Sequence, residues 1–129
     1  MSKRILIADD EAHIRRVIEM KLISAGYEVI AVTDAAAALA TAPKYLPHLI
    51  ISDYKMASDM TGVDLIKAVR ETVGIADTPI ILLTGSVAVM QQLRATLTDV
   101  NRVTLMSKPF SPRALVREMQ RILGEEEER

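Results

Sequence analysis

Three segments of the chain are nearly continuous in Ile, Leu and Val: "ILIAD" at 5–9, "HLIISD" at 48–53 and "PIILLTG" at 79–85. Unbroken apolar runs of this length, rich in β-branched residues, predict strands buried on both faces, as in the middle of a parallel sheet. Two further runs, "YEVIAV" at 27–32 and "RVTLMS" at 102–107, mix polar with apolar positions. That mixture suits strands at the edges of the same sheet.

Helical spacing fills the intervals. Ile14, Val17, Ile18 and Leu22 form one stripe, closed by Gly26, which tolerates the positive φ of a helix C′ position. Residues 34–42, "DAAAALATA", join an Asp N-cap to strong helix formers, and Pro43 is expected to discourage continuation. A third helix is predicted from about Gly62 through Val63, Ile66 and Val69, and a fourth through Val89, Met90, Leu93 and Leu97. The last starts with Ser111 and Pro112 as N-cap and N1 and carries Leu115, Val116, Met119 and Ile122 on one face.

Five β-α units in strict alternation imply right-handed crossovers and helices on both faces of a parallel sheet. The predicted fold class is therefore α/β, a (βα)5 doubly wound parallel sheet, with strand order 2-1-3-4-5 because strands two and five read as edges. In such sheets ligands bind at the carboxyl ends of the strands, where the order reverses between strands one and three.

Composition narrows the class without choosing a function. With 129 residues, half of them apolar and 26% charged, one compact domain is expected over residues 1–124, followed by an acidic tail or the start of a truncated helix at 125–129, "EEEER". The formal charge is −1 and the basic residues are scattered, which argues against direct nucleic-acid binding by this domain. Cysteine is absent, so disulfides and thiolate metal sites are excluded. No apolar run approaches the ~20 residues of a membrane span, and the N-terminal run is too short for a signal peptide. A cytoplasmic location is expected.

The chemistry gathers at the strand ends. Strand one ends in Asp9 and Asp10 and strand three in Asp53, so three carboxylates from distant positions converge, with Thr84 at the end of strand four and Lys108 after strand five. Crowded acids raise one another's pKa unless a cation arrives. An oxygen-only ligand set without His or Cys selects a hard cation, and a small open cluster suits Mg²⁺. Mn²⁺ is the alternative ion. A carboxylate beside such an ion, a hydroxyl and an ammonium is arranged to accept a phosphoryl group: Asp53 attacks, while Lys108 and the Thr84 hydroxyl meet the phosphoryl oxygens.

The set Asp9-Asp10, Asp53, Thr84 and Lys108-Pro109, each at a successive strand end, resembles the response-regulator receiver domain of two-component signalling, with a match covering about residues 3–123. The resemblance implies the flavodoxin-like (CheY-like) version of this fold and a switch rather than a turnover enzyme. In that family an aspartate takes phosphate from a histidine kinase or histidine phosphotransfer protein with Mg²⁺ present. Carried over, Asp10 and Asp53 ligate the metal through side chains, Asp9 assists directly or through water, and the backbone carbonyl of Lys55 supplies a further ligand. Thr84 and Lys108 sense the phosphoryl group, the Lys108–Pro109 peptide is cis, and Lys55 and Ser86 overhang the acceptor. The fourth helix, fifth strand and fifth helix form the partner face, used for a downstream protein or a missing effector domain and for homodimerisation.

Departures from the family pattern are equally specific. Leu105 stands where an aromatic ring usually swings inward, so the switch would have to use an aliphatic side chain. The loop "DYKMASDMTG" has Ala57 where proline is preferred and is one residue longer before Gly62.

Other readings weigh less. Asp9 and Asp10 taken alone would serve as acids at a helix N-terminus. His13 and His48 flank opposite ends of the sheet and read as surface or partly buried histidines. Asp34, Asp59, Asp64, Asp77 and Asp99 read as caps and loop residues. A phosphorylation-independent interaction module would keep the fold and ignore phosphate, with Leu105 and the altered loop after Asp53 as its only support. A haloacid-dehalogenase-type phosphatase needs an acid two residues after the nucleophile, where Lys55 stands. A flavin-phosphate site is opposed by Asp9, Asp10 and Glu11, which would repel the anion.

Overall fold

The computed structural model describes residues 2–56, 58–108 and 110–125. Five strands, β1 (Arg4–Ala8), β2 (Glu28–Val32), β3 (Leu49–Asp53), β4 (Ile80–Thr84) and β5 (Val103–Ser107), alternate with α1 (Ala12–Ser24), α2 (Ala35–Tyr45), α3 (Gly62–Arg70), α4 (Val87–Thr96) and α5 (Pro112–Ile122). All pairings are parallel and the order is β2-β1-β3-β4-β5, as the sequence predicts. Every residue of β3 and β4 is buried, whereas β2 and β5 are only partly covered.

Strand parity divides the core in two. Leu6, Ala8, Ile50 and Leu82 point to one face, where Ala35, Ala38 and Ala42 of α2 and Leu65, Ile66 and Val69 of α3 cover them. Ile5, Ile7, Ile51 and Leu83 point to the other, under Ile18 and Leu22 of α1 and Leu115 and Met119 of α5. Alanine on α2 lets that helix lie close to the sheet, so its run of small residues is packing surface.

Helix starts follow local chemistry. The Asp34 carboxylate accepts the Ala37 N–H at 2.8 Å, Ser111 Oγ accepts the Ala114 N–H at 3.0 Å, and Thr61 and Asp64 form a reciprocal capping box for α3. Gly26, just past α1, has φ +98°, the conformation expected of it.

Two expectations are corrected. Pro43 does not end α2, which continues to Tyr45. Proline removes one backbone bond, but the turn beyond it is recovered by the Leu46 N–H bonded to the Ala42 carbonyl and by the Arg4 guanidinium, which donates to the carbonyls of Tyr45 and Leu46 at 2.8–3.1 Å. Val17 is not in the buried stripe of α1; it is 39% exposed, because the line facing the sheet is Ile14, Ile18 and Leu22, one turn apart. At the start of the expected tail the Tyr27 hydroxyl donates to the exposed Glu125 at 2.7 Å, and 126–129 lie outside the described residues. Among the described residues no helix is long and apolar enough to cross a membrane.

Candidate active site

Parallel register delivers the site residues to one end of the sheet. Ala8 lies opposite Ser52 and Asp53 opposite Leu83, so the chain leaving β1 at Asp9 and Asp10 arrives beside the end of β3. Thr84 pairs with Ser107, and the Lys108 N–H donates to the Thr84 carbonyl at 2.8 Å, which carries the strand ladder one residue further and aims the lysine inward.

One oxygen from each of Asp9, Asp10 and Asp53 lies within 4.8 Å of the others. Lys108 Nζ is 3.0 Å from Asp53 Oδ2 and 4.0 Å from Asp9 Oδ2. Asp9 and Asp53 are both buried. Asp9 Oδ1 accepts the Glu11 N–H at 2.9 Å, but Asp9 Oδ2 is buried without a hydrogen-bond partner. An orphaned carboxylate oxygen facing two other carboxylates is costly and marks a place that a cation would satisfy. Hard oxygen ligands and the exposed position of Asp10 fit a divalent ion that keeps some of its water.

The protonation equilibria carry the same strain. Burial pushes the Asp53 carboxyl above the usual carboxylate range, the Lys108 ammonium pulls it back, and Asp9 and Asp10 push it up again. Asp9 is also raised, first by burial, against the pull of the Glu11 N–H and Lys108. A bound cation would reverse both shifts.

Thr84 is buried, and its hydroxyl oxygen accepts the Ser86 N–H at 3.3 Å, which leaves the hydroxyl hydrogen available as a donor. Ser86 itself does not overhang the acceptor freely, because its Oγ accepts the Val89 N–H at 3.2 Å and caps α4. Lys55 lies in the bend after β3 with its side chain exposed. The loop that follows is tied down by the Tyr54 N–H to the Leu83 carbonyl and the Gly62 N–H to the Tyr54 carbonyl, each at 2.8 Å. Leu105 pairs with Leu82 and packs half-buried against the core under α3 and α4. Pro109, with the expected cis peptide, and Ala57 lie outside the described residues. His13 stands exposed in the first turn of α1 and His48 just before β3, at the far end of the sheet.

One residue of the site was not singled out from the sequence. Arg15 Nη1 donates to the Asp9 carbonyl at 2.8 Å. The available signal was its position four residues after Glu11, since side chains near a helix start lean back over the preceding turn.

Comparison with known proteins agrees with this geometry. Residues 5–120 match the family described as the response regulator receiver domain. The chain is 33% identical over 123 residues to the phosphate regulon transcriptional regulatory protein PhoB of Pseudomonas aeruginosa, covering 95% of this chain and 52% of PhoB. It spans about half the length of the curated relatives it matches. The chemotaxis response regulator CheY4 of Vibrio cholerae superposes with a TM-score of 0.84 at 34% identity, covering 95% of this chain and 99% of that one. The receiver domain of a Pseudomonas aeruginosa sensor histidine kinase, solved with a magnesium ion coordinated in its active-site cleft, superposes with a TM-score of 0.82 at 27% identity over 96% of this chain and 99% of the other.

Proposed function

The chain belongs to the response-regulator receiver family of two-component signalling, and from that premise we propose that it is a phosphorylation-controlled switch whose acceptor is Asp53. The observation that carries this reading is the buried Asp53 carboxylate held 3.0 Å from Lys108, beside the orphaned Asp9 oxygen. Such a site is poor as a resting structure and well suited to a species bringing an ion and a phosphoryl group.

In the proposed reaction a carboxylate oxygen of Asp53 attacks the phosphorus of a phosphohistidine. The P–O bond forms as the P–N bond breaks, and the leaving imidazole keeps the electron pair and is protonated from solvent. Asp9, Asp10 and Asp53, with the backbone carbonyl of Lys55, would hold Mg²⁺, which supplies positive charge against the phosphoryl oxygens; Mn²⁺ would serve in its place. Lys108 leaves its ion pair with Asp53 to pair with a phosphoryl oxygen, and the Thr84 hydroxyl donates to another. Nothing is turned over: the acyl phosphate is the signal.

The donor is a histidine kinase or histidine phosphotransfer protein, in the cytoplasm. The product alters the face formed by α4, β5 and α5, with Leu105 and Pro109 as switch residues, to engage a downstream protein, a second copy or an effector segment.

The test is intact mass after incubation with Mg²⁺ and acetyl phosphate. One added phosphoryl group, absent in Asp53→Asn, is the expected result. No adduct under conditions where Mg²⁺ binds would overturn the assignment.

A further inference from the structure

Two of the three acidic side chains at the site stand on one short loop, Asp9 to Glu11, and that loop is fastened from α1. Glu11 is the N-cap of α1, yet its side chain makes no capping bond. Instead Asp9 Oδ1 accepts the Glu11 N–H at 2.9 Å, the Arg15 N–H donates to the Glu11 carbonyl at 2.9 Å, and Arg15 Nη1 donates to the Asp9 carbonyl at 2.8 Å. Arg15 therefore bonds the carbonyls on both sides of Asp10. The exposed Asp10 carboxylate accepts no hydrogen bond among the described residues, so its position follows from the backbone it stands on.

We propose that Arg15 is a positioning residue for the cation site, clamping the Asp9–Glu11 loop so that the carboxylates of Asp9 and Asp10 stay in ligand geometry. The inference rests on the reading that these acids bind a divalent ion.

The role is separable from others because its sign differs. A guanidinium close to a divalent cation repels it, so removing the charge alone would tighten binding. Removing the clamp does the opposite, since a carbonyl loses its charge-assisted donor and the loop gains conformations that must be lost again on binding. The clamp dominates if the bond to Asp9 is held in the free protein, as its 2.8 Å length and the half-buried position of Arg15 indicate. The ions are also affected unequally. Mg²⁺ demands near-ideal octahedral geometry, whereas Ca²⁺ accepts irregular shells, so loosening the loop costs Mg²⁺ more.

The experiment is calorimetric titration of the whole chain with Mg²⁺ and separately with Ca²⁺, for wild type, Arg15→Met and Arg15→Lys, with thermal unfolding in a chelator as the control for folding. Methionine keeps a flexible unbranched stem and the helix preference of arginine without charge or donor, and lysine keeps the charge as a compact ammonium in place of the guanidinium fork. Expected are a loss of at least about fivefold in Mg²⁺ affinity for Arg15→Met, a smaller loss for Ca²⁺, and an intermediate value for Arg15→Lys. Equal or tighter Mg²⁺ binding by Arg15→Met overturns the inference, as does an equal loss for both ions. If Arg15→Met does not fold, Arg15→Gln takes its place with the same criteria. Wild type that binds neither ion fails the cation reading itself, and this inference with it; wild type that binds Mg²⁺ with an indifferent Arg15→Met fails only the inference.

Discussion

Ser86 joins Thr84 to the start of α4: its N–H donates to the Thr84 hydroxyl at 3.3 Å while its own Oγ accepts the Val89 N–H at 3.2 Å. The hydroxyl proposed to meet a phosphoryl group and the cap of the helix proposed to move are thus two residues apart in a single chain of bonds. Ser86→Ala removes the cap and keeps the backbone donor. The cost expected is about 1 kcal/mol, concentrated in the first turn of α4. Amide hydrogen exchange should accelerate at 87–90 and stay unchanged in α1 and α5; uniform protection across α4 would show that the cap is dispensable.

Gly62 stands where α3 starts against the end of β3, and the close approach has no room for a side chain. A Cβ there would lie 2.4 Å from Leu82 Cδ1 and, more seriously, 2.7 Å from the Asp53 carbonyl oxygen and 3.1 Å from Tyr54 Cα. The leucine tip can rotate away; the two backbone atoms, at the last residue of the acceptor strand and the residue after it, cannot. Gly62→Ala is expected to destabilise the protein by about 1–3 kcal/mol, as overpacking does, and to slow phosphorylation from acetyl phosphate by displacing Asp53. Thermal unfolding and the rate of mass gain check this together, and an unchanged melting temperature would refute it.

The sheet could be read from the sequence because its signal is redundant: Ile50, Ile51, Ile81 and Leu82 are apolar on both strand faces, and only a central parallel strand requires that. The carboxylate cluster was legible for a related reason, since parallel topology sends every strand's C-terminus to one edge and Asp9, Asp53 and Thr84 each end a run. What escaped were features set by tertiary contact. The turn after Pro43 depends on Arg4, distant in sequence, and Glu125 meets Tyr27 across the fold. Helical periodicity placed Val17 in the stripe but could not say which edge of an apolar arc the sheet would cover. Arg15 was not singled out because the acceptor it uses is a backbone carbonyl, which no side-chain motif marks.

Asp9 holds a strain that substitution should release. Its Oδ2 is buried without a donor, and burial raises its pKa against the pull of the Glu11 N–H and of the Lys108 charge 4.0 Å away. A raised carboxyl pKa means that the metal-free protein is stabilised as pH falls through the folded value toward 3.8 and is strained above it. Asp9→Asn keeps the oxygen that receives the Glu11 N–H and deletes the charge. In a chelator at pH 7 it should be more stable than wild type by roughly 1–2 kcal/mol, the order of a desolvated group left unpaired. It should also lose most of the stabilisation by Mg²⁺, about 2.7 kcal/mol at a hundred times the Kd for a site binding only the folded state. Paired melts with chelator and with Mg²⁺ test both; a variant less stable without metal would show that attraction to Lys108 outweighs burial.

At the opposite end of the sheet, His48 should make the fold sensitive to acid. Its Nδ1 accepts the Arg4 N–H at 2.9 Å, and its own N–H donates to the Arg4 carbonyl at 2.8 Å, so the ring completes the β1–β3 ladder where Arg4 also grips the end of α2. Only the neutral imidazole can accept that bond. Burial, then the charges of Arg4 and Lys3, lower its pKa from 6.5. For a base with a depressed folded pKa, the unfolded chain takes up the proton first. The contribution is therefore complete above 6.5 and is lost as pH falls through the folded value. Its size is about that of one hydrogen bond, near 1 kcal/mol, reduced by partial exposure of the ring. His48→Gln offers an amide oxygen as acceptor and does not titrate, so its stability should decline less than that of wild type as pH drops below 6.5, with Mg²⁺ affinity at pH 7 unchanged. Urea unfolding across this range distinguishes the outcomes, since parallel curves for the two proteins would mean that the ring does not titrate in the folded state differently from the unfolded one.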